Sequence, residues 1–378
     1  MRPFFLLAIL LTSNTALAGQ LGDWPSVNNK LHATRFAAQT EINPSNVASR
    51  GQVCTYDVGR AASFQTGPIT IGGVIYVTTE FDTIALDAET CAVKWRTTED
   101  YKPAGPLVVN RGAAVADGRI FRGTQDGRVL AYDLATGKRL WAATIADASL
   151  GETVPAALIT WNGIVFAGNA GGDNKGVKGR MYALNAVTGA ILWEQYLVPR
   201  EPIDVVRGIA APTPVMPPGG WGNGPGGPIT GGATWTSYSP DPATGRIYVP
   251  GGNPAPDFAA HLRPGTNPYA GSIIALDAAT GTVRKIYPIV ERDFHDWDVS
   301  SAPAILTTRG GLSIIASAIK DGHLRGIERE NGKQVYQTAV TTILNAATPL
   351  TPADGVRFCP GSQGAPNGMG RLTRPSPT

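Results

Sequence analysis

The chain has 378 residues, 43% of them apolar, and its 32 basic and 29 acidic side chains leave a formal net charge of only +3. That length can bury a large core, and the near balance of charge excludes the strong basic field that nucleic acid or an anionic membrane surface calls for. With 46 glycines, 30 prolines and no low-complexity run, the composition points to frequent turns between short strands.

The first eighteen residues, MRPFFLLAILLTSNTALA, set Arg2 ahead of an apolar run at 4–11 and end on the small residues Ala16 and Ala18. This is the pattern of a secretory signal peptide cut before Gly19, with an apolar run too short to span a bilayer. Export permits disulfides. Of Cys54, Cys91 and Cys359, the first two are expected to bond and the third to remain a thiol.

Beyond these the chain repeats itself: IALDAETCAVKW (84–95), LAYDLATGKRLW (130–141), YALNAVTGAILW (182–193), IALDAATGTVRK (274–285) and RGIERENGKQVY (325–336). Each copy is an alternating strand, a turn of the type D-x-x-T-G and a second strand that carries an aromatic in most copies. The turn Asp caps the bend and the Gly supplies the positive φ it needs. Cys91 stands where the first turn wants glycine, which is the reason to expect a covalent partner for it.

Most copies follow another hairpin, such as GGVIYVTTEFDT (72–83), so the unit has four strands. The turn positions Cys91, Gly137, Gly189, Gly281 and Gly332 are 46, 52, 92 and 51 residues apart. Four-stranded units at this period predict an all-β β-propeller with about five or six blades present. The 92-residue interval holds either one blade with a long insertion or two blades with a degenerate turn.

Six stretches interrupt the repeat with chemistry. VVNRGAAV (108–115) carries Arg111, and the Gly-rich VFAGNAGGDNKGVKGR (165–180) carries Asp173. GGATWTSYSPDP (231–242) offers Trp235 as an aromatic plane for a flat ligand. In GGNPAPDF (251–258), Asn253 precedes a proline, which favours extended backbone with the amide off a strand end. RDFHDWDVSSAPAIL (292–306) packs three Asp and one His into 293–298 ahead of an apolar strand, so part of the cluster turns inward. AIKDGHL (318–324) carries Lys320.

The D-x-x-T-G-x-x-x-W unit resembles the tryptophan-docking motif of the quinoprotein alcohol dehydrogenases, periplasmic eight-bladed propellers that hold pyrroloquinoline quinone (PQQ). The motif also occurs in a non-enzymatic outer-membrane assembly lipoprotein, so it implies the fold and not the activity. The other stretches carry the function. By resemblance, Trp235 is the floor under PQQ, Arg111 and Lys320 are the cations that face it, and Asp173, Asn253 and Asp298 bind Ca2+, with Asp298 also the catalytic base. Most members have Glu at the position of Asp173, and one residue is inserted before GVKG. His295 and Asp296 are read as residues of the loop or as supports behind the ligands, not as ligands themselves, since Ca2+ prefers oxygen and imidazole suits zinc or copper.

The resemblance implies oxidation of an alcohol, polyol or sugar, with electrons passed to a periplasmic cytochrome c or a membrane quinone. No C-x-x-C-H motif attaches a haem to this chain. Many alcohol dehydrogenases of the family carry adjacent cysteines where this sequence has Gly105-Pro106, which bears on substrate and electron transfer. The competing class, a scaffold of the lipoprotein type, would show a lipobox cysteine at the cleavage point, where this chain has Gly19.

The family's propellers are longer than this chain. After CPGSQG they continue with a stretch like G-x-E-W-D/N-G-x-A-Y-S-P, and codons permitted for 365–375 encode T-E-W-D-G-A-A-Y-S-P in another frame. The expectation is therefore a propeller over 19–363 and an out-of-frame tail over 364–378. An inactive truncated relative is the second expectation.

Overall fold

The computed structural model describes residues 22–105, 107–174, 176–212, 220–221, 229–348 and 356–364. The expected signal peptide and the tail from 365 onward lie outside the described residues.

Five four-stranded antiparallel sheets follow one another along the chain. Blade 1 comprises Ile69–Ile71, Val74–Thr78, Asp82–Asp87 and Val93–Thr98, and blade 2 comprises Ala114–Ala116, Arg119–Gly123, Arg128–Asp133 and Arg139–Thr144. Blade 3 is built from Ile159–Trp161, Ile164–Gly168, Arg180–Asn185 and Ile191–Tyr196. Blade 4 has Ser239–Asp241, Arg246–Pro250, Ser272–Asp277 and Val283–Pro288, and blade 5 has Ala304–Thr307, Ser313–Ala318, His323–Glu328 and Gln334–Ala339. The molecule is an all-β propeller with five blades among the described residues. Among the described residues, the long interval between Gly189 and Gly281 holds one blade plus an insertion, because only blade 4 follows blade 3 within it.

Strand alternation builds the core. In blade 3, Val165 and Ala167 pack with Phe121, Val129 and Ala131 of blade 2, while Phe166 between them packs with Tyr238, Ile247 and Val249 toward blade 4. Blade 3 thus buries both faces, with alternate residues along each strand packed on opposite neighbours. A separate cluster joins blades 1 and 2 around Ile120 and Leu130, and another joins blades 4 and 5 around Tyr248 and Ile315.

The aromatic at the outer strand of each blade locks it to the next. Trp95, Trp141 and Trp193 donate their indole N–H to the carbonyls of Leu134, Ala186 and Ala278 at 3.1, 3.2 and 3.0 Å, and Tyr287 donates its hydroxyl to Arg329 O at 2.6 Å. Each ring lies against the following blade's turn. A Cβ on Gly189 would sit 2.7 Å from the Trp141 ring, and one on Gly281 equally close to Trp193. Glycine is needed there for room as well as for its positive φ.

The first turn is different. No described blade precedes blade 1, so no tryptophan presses on Cys91, which takes φ +56° and bonds to Cys54 with the Cα atoms 5.8 Å apart. The expected pairing is present, and Cys359 is free.

In an up-and-down blade, the loop before the first strand and the loop between the second and third strands emerge at one end, and the docking turns emerge at the other. The chemistry-bearing stretches all fall in loops of the first kind.

Candidate cofactor and metal site

Arg111 lies just ahead of the first strand of blade 2, and Asp173 lies between the second and third strands of blade 3. Trp235 precedes the first strand of blade 4, Asn253 follows its second strand, Asp298 precedes blade 5, and Lys320 occupies that blade's central turn. These six positions span more than 200 residues of chain, yet the structure brings them to one end.

Asp298 is the hub. Its Oδ1 accepts the backbone N–H of Asn253 at 2.7 Å, and its Oδ2 accepts the Trp235 indole N–H at 3.0 Å and lies 2.6 Å from Lys320 Nζ. Backbone bonds stitch the same loops: Gly252 N to Ala233 O at 2.8 Å, Gly232 N to Asn253 O at 2.8 Å and Lys320 N to Asp298 O at 3.1 Å. A Cβ on Gly252 would come within 2.5 Å of Ala233 O and 3.0 Å of Asp298 Oδ1, so the second glycine of GGN is what lets these loops close on one another.

Trp235 is only half-buried and two cations lie over its ring: the Arg111 guanidinium 4.6 Å and Lys320 Nζ 5.6 Å from the centroid. Burial pushes Arg111 down to about 10, against the pull of Asp298. Burial would also lower Lys320, but Asp298 and Asp296 together hold it above its ordinary value.

The loop over 293–298 turns inward as expected, and Asp293 is its organiser. Its carboxylate accepts the N–H groups of His295 at 3.1 Å and Trp297 at 2.9 Å, and burial raises it to about 6. His295 stacks on Trp297 with centroids 3.9 Å apart and meets Phe358 edge-on. Burial in this aromatic packing lowers His295 to about 4.

Asp296 behaves otherwise. Its Oδ1 lies 3.1 Å from Lys320 Nζ, and carboxylate oxygens of Asp173, Asp257 and Asp296 all lie within 4.8 Å of one another. Asp296 therefore lies beside the site as well as in its loop. Asp257, which the sequence reading passed over, is held by Asn253 Nδ2 at 2.7 Å. Its signal was present in GGNPAPDF, four residues past the candidate ligand Asn253, but a turn after Asn-Pro gives no hint that the side chain folds back.

The gathering has an electrostatic signature. Asp173 keeps an open edge, yet desolvation and then the charges of Asp257 and Asp298 push it up to about 6. Asp257 and Asp296 are also raised, first by desolvation and then by neighbouring carboxylates. A surface cleft of about 470 Å³ lies instead along the seam where Trp95 meets Leu134. It contains none of these groups.

An aromatic plane, two cations over it and a nest of oxygen donors at one end of a β-propeller have the chemistry to receive a flat anionic ligand and a hard cation. The sequence profile of the PQQ family described as "Glucose/ethanol/alcohol dehydrogenase, beta-propeller domain" matches residues 24–349, and the chain belongs to this family.

The dehydrogenase subunit of the quinone-type alcohol dehydrogenase of Acetobacter aceti is 31% identical over 363 residues, 87% of this chain and 47% of that protein. A lanthanide-dependent methanol dehydrogenase of Methylacidiphilum fumariolicum is 31% identical over 73% of this chain and 48% of its own length. The crystal structure of the quinohemoprotein alcohol dehydrogenase from Comamonas testosteroni superposes with a TM-score of 0.78 at 27% identity, covering 93% of this chain and 56% of that one. The chain spans about half the length of these curated relatives.

Proposed function

We propose that this chain is the cofactor- and metal-binding part of an exported quinoprotein dehydrogenase that oxidises an alcohol, polyol or sugar. The observation that carries the reading is Asp298, a buried carboxylate held by Trp235, Asn253 and Lys320 beside a nest of further carboxylates.

The residues present fit PQQ and a hard cation. The donors gathered at the nest are oxygens, which suit a hard ion and disfavour zinc or copper. The Trp235 face offers a plane for a fused-ring ligand, and Arg111 and Lys320 supply the charge that the three carboxylates of PQQ require. When bound, PQQ accepts the two electrons of the alcohol, and the cation polarises its carbonyl.

Asp173, Asn253 and Asp298 are assigned to hold the cation, which is Ca2+ in the plain reading of the resemblance, although one relative is lanthanide-dependent. Asp298 takes the alcohol proton. Lys320, in contact with Asp296 and Asp298 of one loop, fixes Asp298 Oδ2 and faces the cofactor. Trp235 and Arg111 orient the ring, and Asp293 holds the loop that aims Asp298. Electrons then leave for a periplasmic cytochrome c or a membrane quinone. Residues 1–18 serve as the export signal, and mass spectrometry of the periplasmic protein should find a chain beginning at Gly19.

The test is reconstitution. The exported chain is loaded with PQQ and Ca2+ or a lanthanide ion and screened for dye reduction with short alcohols, polyols and aldoses. Quinone binding with turnover supports the reading. Binding without turnover on any substrate points to the inactive truncated relative, and absence of both defeats the assignment.

A further inference from the structure

We propose that a cleft beside the Arg111 loop binds the hydroxyls of a polyol or monosaccharide, with Glu80 as their acceptor. The inference deepens the dehydrogenase reading above, on which its link to catalysis rests, by naming polyhydroxylated compounds as the substrate class.

The cleft, of about 380 Å³, lies between Ala62 and Gln65 ahead of blade 1, Leu107 and Val109 ahead of blade 2, and Glu80 in the central turn of blade 1. All three segments emerge at the end that carries Arg111 and Trp235. They are tied to that site. Two residues past Gln65, Gly67 donates its N–H to Arg111 O at 3.0 Å, and Val109 stands two residues before Arg111. The Arg111 guanidinium in turn lies over the Trp235 ring. A molecule in the cleft therefore sits at the rim of the proposed cofactor platform.

Glu80 is the observation that points to a ligand. It is only 7% exposed and, among the described residues, its Oε2 has no hydrogen-bond partner. Gln125, also buried, donates its amide N–H to Val109 O in the cleft wall and leaves its Oε1 unpartnered as well. Buried acceptors of this kind call for a donor.

The charge around the turn decides which donor. Glu80 and Asp82 bring two negative charges, whereas Arg60, Arg96 and Arg122, whose side chains bond the turn over 80–82, bring three positive ones. A cationic ligand would add to an excess of one positive charge, and a neutral hydroxyl would not. A carboxylate can accept adjacent hydroxyls together, which a monohydric alcohol lacks. Leu107 and Ala62 offer apolar surface to the C–H faces of the carbon chain or ring.

The experiment uses the full exported chain without cofactor, titrated with sorbitol, glucose, 1-butanol and methylammonium and followed by ligand-observed saturation-transfer NMR. Sorbitol or glucose is expected to bind at least about tenfold more tightly than 1-butanol. Glu80→Gln should weaken that binding by about 10- to 100-fold through loss of the charged acceptor. Leu107→Trp, at an exposed position, should crowd the mouth and weaken it several-fold, and it decides alone if Glu80→Gln does not fold by circular dichroism and urea midpoint. Polyol and sugar affinities no greater than that of 1-butanol overturn the inference. Tighter binding of methylammonium, or an affinity unchanged in every variant that folds, does the same. No cofactor or turnover enters this test, so such a failure leaves the dehydrogenase reading standing, which falls only if reconstitution gives neither quinone binding nor turnover.

Discussion

Asp298 presents one oxygen to a backbone N–H and the other to two side-chain donors, and that asymmetry dictates what its amide would do. In Asp298→Asn, keeping the carbonyl toward Asn253 turns the new NH2 toward Trp235 and Lys320, donor against donors. Dye-linked turnover should fall by roughly 10²–10⁴-fold with the base removed, and urea unfolding should show a loss of about 1–3 kcal/mol from the mismatched hydrogen bonds. Near-normal turnover would show that Asp298 is not the base. Trp235→Ala should weaken PQQ retention by about tenfold through the lost aromatic face, with Trp235→Phe in between. Equilibrium dialysis of the quinone separates the three.

A blade depends on its docking turn and on the buried charges under its edge. Gly189→Ala places a Cβ at 2.7 Å from Trp141 at φ +74°, which should cost about 2–4 kcal/mol by combined crowding and left-handed strain. The urea midpoint measures it, and a cost below about 1 kcal/mol would mean the ring is free to yield. In blade 1, buried Asp82 receives Arg96 at 2.9 and 3.2 Å, Thr98 at 2.6 Å and Arg60 at 3.3 Å. Burial works to raise its pKa, but the bonds from Arg96, Thr98 and Thr79 outweigh it and hold the carboxyl below its ordinary value. A depressed carboxyl stabilises the fold above its unfolded pKa, and that stability is lost as pH falls through the folded value. Asp82→Asn should therefore be destabilised relative to the parent at pH 7, and the gap should close on acidification below about pH 4. A gap that persists at pH 2 would assign the loss to packing.

At the scale of the whole molecule, two features tie distant parts together. The segment at 22–36 pairs Trp24 with Thr70 of blade 1 and Ser26 with Ala114 of blade 2. It then offers His32 O to Ile305 of blade 5, while Asn28 donates to Tyr238 O at the entry to blade 4. The Cys54–Cys91 bond anchors residues 51–66 to the outside of blade 1, where Arg96 also reaches Val58 O at 3.0 Å. Closing a loop of 37 residues, this bond should contribute about 2–4 kcal/mol. Reduction, or Cys54→Ser with Cys91→Ser, should lower the urea midpoint accordingly. Alkylation that finds both thiols free in the exported protein would remove the bond from the account.

The blade architecture was legible because each blade writes it locally: an alternating strand, an Asp-capped turn, a glycine and an aromatic within a dozen residues. Trp235, Asn253 and Asp298 were legible as positions for the same reason, since Gly-rich loops and an acidic run before an apolar strand are local signals. The count of blades between Gly189 and Gly281 was not legible, because spacing alone does not distinguish an insertion from a degenerate blade. Asp257 and Asp296 were likewise hidden. Their proximity to Asp173 is set by loops of blade 3, blade 4 and the entry to blade 5 folding onto one point, and electrostatic coupling at a few ångströms has no period in the sequence. The chain by itself determined which strands form and which faces they bury. Only the packing of blades around a common axis decided which carboxylates share an ion's reach, because that distance exists only after residues 173, 257 and 296 have been brought to the same end of the propeller.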